Sequence, residues 1–211
     1  MRPAHVQAQL AAWYELDLPL DVEAVLISDP GLRDALLPAG ARRPPEQLLV
    51  RQDGDVLELA LFLEPEVLDT LRRHDPRLHL GEANLARLAQ MVEGVSHFVC
   101  VSWNGQHDRQ VSALELELQG EIDTFLACAA LAGAGAGSGG RILARLFDRV
   151  GFAADLDAEE SARYRTAHRL AARYCLDLLR RYGDQLGQPA VRRELRRFYR
   201  LDRPGKFAAI G

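Results

Sequence analysis

The stretch that decides the fold runs through Gln47-Leu-Leu-Val-Arg-Gln52, then Asp53-Gly54, then Asp55-Val-Leu-Glu-Leu-Ala-Leu-Phe-Leu63. Asp-Gly between two runs of strand-forming residues predicts a tight type I′ turn, because both central residues of that turn need positive φ. The stretch therefore predicts a β-hairpin. Apolar residues lie on both faces of its second strand, which indicates that both faces are covered.

Helical spacing of apolar residues and helix-capping residues occur on both sides of the hairpin. We predict helices at 5–16, 21–27, 30–37, 65–73, 82–93, 110–131, 142–150, 158–182 and 189–200. Ser96–Trp103 is rich in β-branched and aromatic residues and is followed by Asn104-Gly105, so it predicts a third strand that ends in a turn.

These elements predict an α+β protein that is predominantly helical. We expect a small antiparallel sheet of about three strands, including the Asp53-Gly54 hairpin, packed by helices and followed by a helical C-terminal part. The expected organisation is an α+β domain at 1–132, a glycine-rich linker or loop at 133–140 and a helical part at 141–211, with the last packed on the first as one globular unit.

The composition is that of an ordinary globular protein, with 48% hydrophobic and 27% charged residues. The formal net charge of −4 argues against a broadly basic nucleic-acid-binding protein. The longest uncharged run, 124–140, is mainly alanine and glycine and is too short and too weakly apolar to span a membrane. The N-terminus lacks the apolar run of a signal peptide, and the three cysteines form no CxxC pair. We therefore expect a cytoplasmic protein with reduced cysteines and no membrane association.

Lys206 is the only lysine among the 26 basic residues. Such a bias towards arginine indicates a bacterial genome rich in G and C. A lysine amine can lose its proton or form an imine, which an arginine cannot, so one interpretation gives Lys206 a chemical role. The other interpretation is that a single lysine remains by chance.

The segment Gly135-Ala136-Gly137-Ser138-Gly139-Gly140 matches the GxGxxG pattern of dinucleotide-binding proteins, and Asp155 or Asp157 lies near the distance expected for a ribose-binding acid. That site requires a strand before the glycines, whereas the pattern there predicts a helix. We therefore favour a mobile loop and expect no cofactor.

Two sets of residues have spacings that permit metal binding. The first is acidic and lies on one predicted helix: Glu115, Glu117, Glu121 and Asp123. The second contains histidines: His74, Asp75, His79 and Glu82, with Glu93 four residues before His97. Neither set contains the Glu-x-x-His, His-Glu-x-x-His or Cys/His pattern of established metal sites. We expect loop contacts, helix caps and a solvated or docking face, and no metal.

A possible pocket is predicted from the stripe of Tyr164, His168 and Tyr174 on one long helix. His97, on the predicted third strand, would complete it. Imidazole titrates near neutral pH, so His168 could carry a proton within a ligand-binding or catalytic pocket. The alternative is an ordinary packing face with tyrosine hydroxyls at its edge.

The C-terminal helix carries arginines around an apolar face, and the stretch from Arg192 to Lys206 has a net charge of +5 (seven basic residues minus two acidic ones). Such a helix can bind an acidic protein or nucleic acid, or can pair with the acidic helix at 110–131. No motif indicates a catalytic activity. The leading hypothesis is an accessory or assembly protein that binds another protein; nucleic acid is the less favoured partner. The residues expected to make the contact are Arg193, Arg197, Phe198, Arg200 and Lys206.

Overall fold

The structure is a computed structural model that describes residues 1–133, 135, 137–148, 151 and 155–211. In chain order its elements are α1 (Pro3–Tyr14), β1 (Leu26–Ile27), α2 (Pro30–Leu36), β2 (Glu46–Asp53), β3 (Val56–Leu63), α3 (Pro65–Arg73), α4 (Leu85–Gln106), α5 (Ala113–Ala132), α6 (Ser138–Phe147), α7 (Ala158–Tyr182), α8 (Pro189–Arg200) and α9 (Arg203–Ile210). The predicted α+β class is confirmed, because helices predominate and a small sheet packs against them.

The described chain divides into two compact units. The first contains Met1–Ala11 and Leu16–Gln110, and the second contains Ala12–Glu15 and Val111–Gly211. The division thus falls just before α5 rather than at the glycine-rich segment 133–140, because α5 packs against α6 and α7. None of the described helices combines the length and the apolar character needed to cross a membrane.

The predicted hairpin is present as β2 and β3, which pair antiparallel. Asp53 pairs with Val56, so the two turn residues are Gly54 and Asp55 rather than Asp53 and Gly54. Gly54 has a φ of +57°, whereas Asp55 is not among the residues with positive φ. The prediction of a type I′ turn is therefore wrong, and glycine occupies the first turn position, as a type II′ turn requires.

The sheet has three strands, but its third strand is not the predicted one. β1, Leu26–Ile27, pairs in parallel with β3, so the sheet is mixed and has the order β1-β3-β2. The predicted strand Ser96–Trp103 instead lies inside α4. This part of α4 is buried around most of its circumference, so it needs apolar and β-branched residues at positions that resemble a buried strand.

In the first unit, α4 packs against β2, β3 and α3. A Cβ atom on Gly94 would lie 2.9 Å from the Glu46 carboxylate and 3.0 Å from Leu61, so the missing side chain permits close approach of helix and sheet. Fully buried Leu61, Phe98 and other apolar side chains fill the interior.

The second unit is helical, and the predicted helices at 110–131, 158–182 and 189–200 are confirmed as α5, α7 and α8. Ser112 and Asp157 begin α5 and α7 with reciprocal capping boxes, which satisfy free backbone N–H groups at both helix starts. The predicted helix at 142–150 begins earlier, at Ser138, and its last two positions lie outside the described residues. The tail beyond α8 forms a further helix, α9, capped by Asp202.

Candidate functional site

A groove of about 780 Å³ lies in the second unit, lined by α7, α8, α9 and Leu201, one of the two residues that join α8 to α9. It combines apolar side chains with five charged ones, three of which are arginines. The lining residues are Tyr174, Asp177, Arg181, Arg193, Glu194, Arg197, Phe198, Leu201, Gly205, Ala208 and Ala209.

Two stacked aromatic rings form part of the groove wall. The ring centroids of Tyr174 and Phe198 are 4.1 Å apart, and the ring planes differ by 24°. Phe198 belongs to the apolar face of α8 together with Val191 and Leu195, as their spacing predicts. Phe198 is only 3% exposed, so it forms part of the packed wall of the groove. It is not the exposed contact that the sequence suggested.

Arg196 and Arg200, one turn apart on α8, hold the end of α1. The Arg196 guanidinium donates to the carbonyl oxygen of Trp13 at 3.1 Å and lies 2.8 Å from the Glu15 carboxylate. Arg200 donates to the carbonyl oxygens of Tyr14 and Glu15 at 2.9 and 3.1 Å. The last carbonyl groups of a helix lack partners within it, and here the two arginines supply them. Arg200, expected to bind a partner, is therefore engaged within the chain.

Arg193 and Arg197 lie one turn apart on the adjacent ridge of α8, and we call them the arginine ridge. Both side chains are exposed and line the groove. Within the described part of the chain, neither forms an ion pair. Arg193 also lines a neighbouring cleft of about 490 Å³ with Arg192 and Arg196. The basic surface thus continues along α8 beyond the first groove.

The two acidic side chains of the groove, Asp177 and Glu194, both pair with Arg181. Both terminal nitrogens of Arg181 donate to the Glu194 carboxylate at 2.5 Å, and Arg181 also contacts Asp177 at 2.8 Å. The Tyr182 hydroxyl donates to Glu194 at 2.9 Å. This network joins α7 to α8, and the arginine ridge takes no part in it. The lining as a whole has a formal charge of +1, three arginines minus two acids.

Lys206 is buried, with 4% of its surface exposed. Its ammonium group donates to Oε1 of Gln119 at 3.4 Å and lies 5.7 and 5.8 Å from the ring centroids of Phe198 and Tyr199. A cation above aromatic faces is favourable, and a slender lysine stem fits where a planar guanidinium with five donors would lack acceptors. These surroundings give a physical reason for a lysine at this position. Because Lys206 is buried, it is not part of the exposed surface that the sequence suggested for partner contact.

A buried polar cluster lies beside this lysine, and sequence reasoning did not find it. Oδ1 of Asp123, which is 1% exposed, accepts hydrogen bonds from the Tyr14 hydroxyl and, at 3.0 Å, from Nε2 of Gln119. Burial and the neighbouring Asp123 raise the pKa of Tyr14 well above its usual value. The available signal was the four-residue spacing of Gln119 and Asp123 among apolar neighbours, but the sequence does not show that Tyr14 joins them.

Two further acidic residues of α5, Glu117 and Glu121, pair with side chains of α7. Nδ1 of His168 lies 2.9 Å from Glu121, and its Nε2 lies 3.2 Å from the carbonyl oxygen of Phe147. Hydrogen bonding to Glu121 raises the pKa of His168. Tyr164 hydrogen-bonds to Glu117, and burial raises the pKa of this carboxyl to about 7. These pairs join α5 to α7.

The residues of the predicted pocket have separate surroundings. His168 and Tyr164 contact acidic residues of α5, whereas Tyr174 stacks on Phe198 of α8. His97 lies in the first unit, in α4 rather than on a strand. Within the second unit, only Tyr174 of this set lines the groove described above.

The histidine-containing loop before α4 is held by Asn84. Its amide group donates to the carbonyl oxygens of His74 and His79 at 2.9 and 2.8 Å. The carboxylate of Asp75, which belongs to the same histidine-containing set, accepts hydrogen bonds from the guanidinium and from the backbone N–H of Arg77. These are the loop contacts that the sequence favours over a metal site.

The GxGxxG segment is described except for Ala136, and it follows a helix rather than a strand. The backbone N–H groups of Gly137 and Gly139 donate to the Asp184 carboxylate, each at 2.7 Å. These bonds hold the pKa of Asp184 below its usual value. A carboxylate of the chain itself thus occupies the start of α6, where a dinucleotide-binding protein would hold a pyrophosphate.

Comparisons of the chain with protein-family models, with curated proteins and with solved structures gave no match.

Proposed function

We propose that the protein is a bacterial cytoplasmic accessory or assembly protein that binds an acidic segment of another protein at the groove between α7, α8 and α9. The observation that carries this proposal is the arginine ridge. Arg193 and Arg197 are exposed beside apolar walls, and no described carboxylate pairs with either. Like charges one turn apart on a helix repel each other, and a partner's carboxylate would convert this repulsion into attraction.

The shape of the basic surface supports a chain segment as the occupant. Arg193 lines both the groove and the neighbouring cleft, so the surface extends along α8 past a single pocket. The apolar part of the groove lining, Leu201, Ala208 and Ala209, can receive apolar side chains of the same segment. An amphipathic acidic peptide fits both features.

The charge balance favours a protein over nucleic acid. The chain has a net charge of −4, whereas a protein that binds a continuous row of phosphates carries a broad basic surface. The three cysteines are buried thiols, which agrees with a reducing compartment such as the cytoplasm.

The test is the selection of peptide ligands from a random display library on the immobilised full chain. Selected peptides are synthesised and their dissociation constants are measured by fluorescence anisotropy. We expect peptides that combine acidic and apolar residues. The double variant Arg193→Gln/Arg197→Gln should bind them at least about tenfold more weakly, because it loses charge-assisted hydrogen bonds.

The matched control is Arg165→Gln/Arg169→Gln. These two arginines are exposed on α7 with the same four-residue spacing, and they do not line the groove. The control should bind within about twofold of the unchanged protein, since it alters only the net charge. Equal weakening of both double variants, or of neither, would contradict the proposal. Displacement of the peptides by a uridine oligonucleotide at low salt would favour nucleic acid as the partner instead.

A further inference from the structure

We infer that the arginine ridge recognises the C-terminal turn of a partner helix that ends in an aromatic residue followed by an acidic one. This inference rests on the proposed function and specifies the occupant of the same groove. It comes from an interaction that α8 already makes within the chain.

The neighbouring arginine pair shows how α8 binds such a turn. Arg196 and Arg200 donate to three successive carbonyl oxygens, those of residues 13, 14 and 15, at the end of α1. Arg196 also pairs with the carboxylate of Glu15. Glu15 has a φ of +50°, so the chain turns at the helix end and leaves these carbonyl groups open to the guanidinium donors. One arginine pair thus binds helix-end carbonyl groups and an acid together.

An aromatic residue completes this internal interaction. Tyr14, directly before Glu15, stacks on Tyr199 of α8 with ring centroids 4.3 Å apart. The bound segment therefore presents an aromatic ring to α8, carbonyl groups to the arginines and a carboxylate to Arg196.

The arginine ridge repeats the arginine pair of this interaction, and no carboxylate of the described chain pairs with it. Arg193 and Arg197 have the same four-residue spacing, and they lie about 60° around the helix axis from Arg196 and Arg200. Half-buried Leu201 and exposed Ala208 and Ala209 line the adjoining groove and can contact an aromatic side chain. A guanidinium group can contact a carbonyl oxygen and a carboxylate at once because its donors form a planar fork, which an ammonium group lacks.

The probe is a fluorescein-labelled, C-terminally amidated helical peptide, rich in alanine, that ends in Leu-Phe-Glu-Gly. Its mate has prolines in place of two central alanines, so it keeps the same ending but cannot form the helix. Binding of both probes is measured for the unchanged chain, Arg193→Gln/Arg197→Gln and Arg193→Lys/Arg197→Lys. We expect the helical probe to bind the unchanged chain about tenfold more tightly than its mate does. The variant Arg193→Lys/Arg197→Lys should bind the helical probe about tenfold more weakly, because an ammonium group cannot replace the planar fork of guanidinium donors.

The outcomes separate this inference from the proposed function. If the helical probe does not bind, or if both probes bind equally well, the inference fails. It also fails if the lysine pair binds as tightly as the arginines. In these cases the proposed function still stands as long as the glutamine pair loses the library-selected peptides. If the glutamine pair binds those peptides as tightly as the unchanged chain does, the proposed function fails as well.

Discussion

Two buried tyrosines give opposite predictions for the same substitution. The Tyr14 hydroxyl donates to Asp123 and accepts from Gln119 at 3.1 Å. The Tyr174 hydroxyl is buried and has no hydrogen-bond partner among the described residues. Both side chains are at least 97% buried, with exposures of 1% and 3%. Replacing each by phenylalanine removes one oxygen atom and leaves the ring in place, so the comparison isolates the hydrogen bonds.

The expected changes in the free energy of unfolding depend on the hydrogen-bond partners of each hydroxyl group. A hydrogen bond to a buried carboxylate contributes about 1.5–3 kcal/mol. The second bond to Tyr14 adds little, because Gln119 also donates to Asp123 and keeps that partner. We expect Tyr14→Phe to lower the free energy of unfolding by about 2–3 kcal/mol. Tyr174→Phe removes an unsatisfied hydroxyl, so it should change stability by less than about 0.5 kcal/mol or raise it by up to about 1 kcal/mol.

The assay is urea unfolding near neutral pH, followed by circular dichroism and by tryptophan fluorescence. Trp13 belongs to the second unit and Trp103 to the first, so fluorescence of the unchanged chain reports on both units. The measurement is therefore made on a Trp103→Phe background, in which Trp13 reports on the second unit if the two units unfold separately. Free-energy differences come from the shift in midpoint at equal slope. The reasoning is refuted if Tyr14→Phe costs less than about 0.5 kcal/mol, or if Tyr174→Phe costs as much as Tyr14→Phe.

Three further predictions concern residues of the second unit. Lys206→Arg should lower the free energy of unfolding by about 2 kcal/mol despite keeping the charge, because the buried site offers one acceptor to five donors; an unchanged urea midpoint would contradict this. His168 has a folded pKa raised above 6.5, so its pair with Glu121 contributes fully below about pH 6.5 and less as the pH rises through the folded pKa. The stability advantage of the unchanged chain over His168→Gln should therefore shrink as the pH rises above about 6.5, and a constant or growing advantage would show that the sign is wrong. Gly139→Ala should destabilise α6 by about 1–3 kcal/mol, since a Cβ would lie 2.6 Å from Leu179; hydrogen exchange of α6 that stays as slow as in the unchanged chain would count against it.

The sequence predicted the elements whose signals are local. The hairpin, α3, α7 and α8 depend on alternation, on proline at the first helical turn and on capping residues, all of which lie within a few positions of one another. The predicted helix at 21–27 is wrong: the segment forms one 3₁₀ turn, Val22–Ala24, and the strand β1. A strand of two residues shows no alternation in the sequence and exists through its pairing with β3. The predicted strand at 96–103 failed since a nearly fully buried helix and a buried strand require similar residues.

The candidate site was predictable in part. The arginine-rich face of α8 is visible in the sequence, but the division into Arg196 and Arg200, which hold α1, and Arg193 and Arg197, which hold nothing described, is not. That division depends on contacts across more than 180 positions of the chain. Burial of Lys206 also depends on distant partners, because its acceptor, Gln119, lies 87 positions earlier.

The most direct test of the central claim compares the arginine ridge with the control pair on α7, Arg165 and Arg169. For one library-selected acidic peptide, the dissociation constant is measured with the unchanged chain, with Arg193→Gln/Arg197→Gln and with Arg165→Gln/Arg169→Gln. The account predicts at least about tenfold weaker binding for the first double variant and less than about twofold for the second. Equal dissociation constants for the two variants would contradict it.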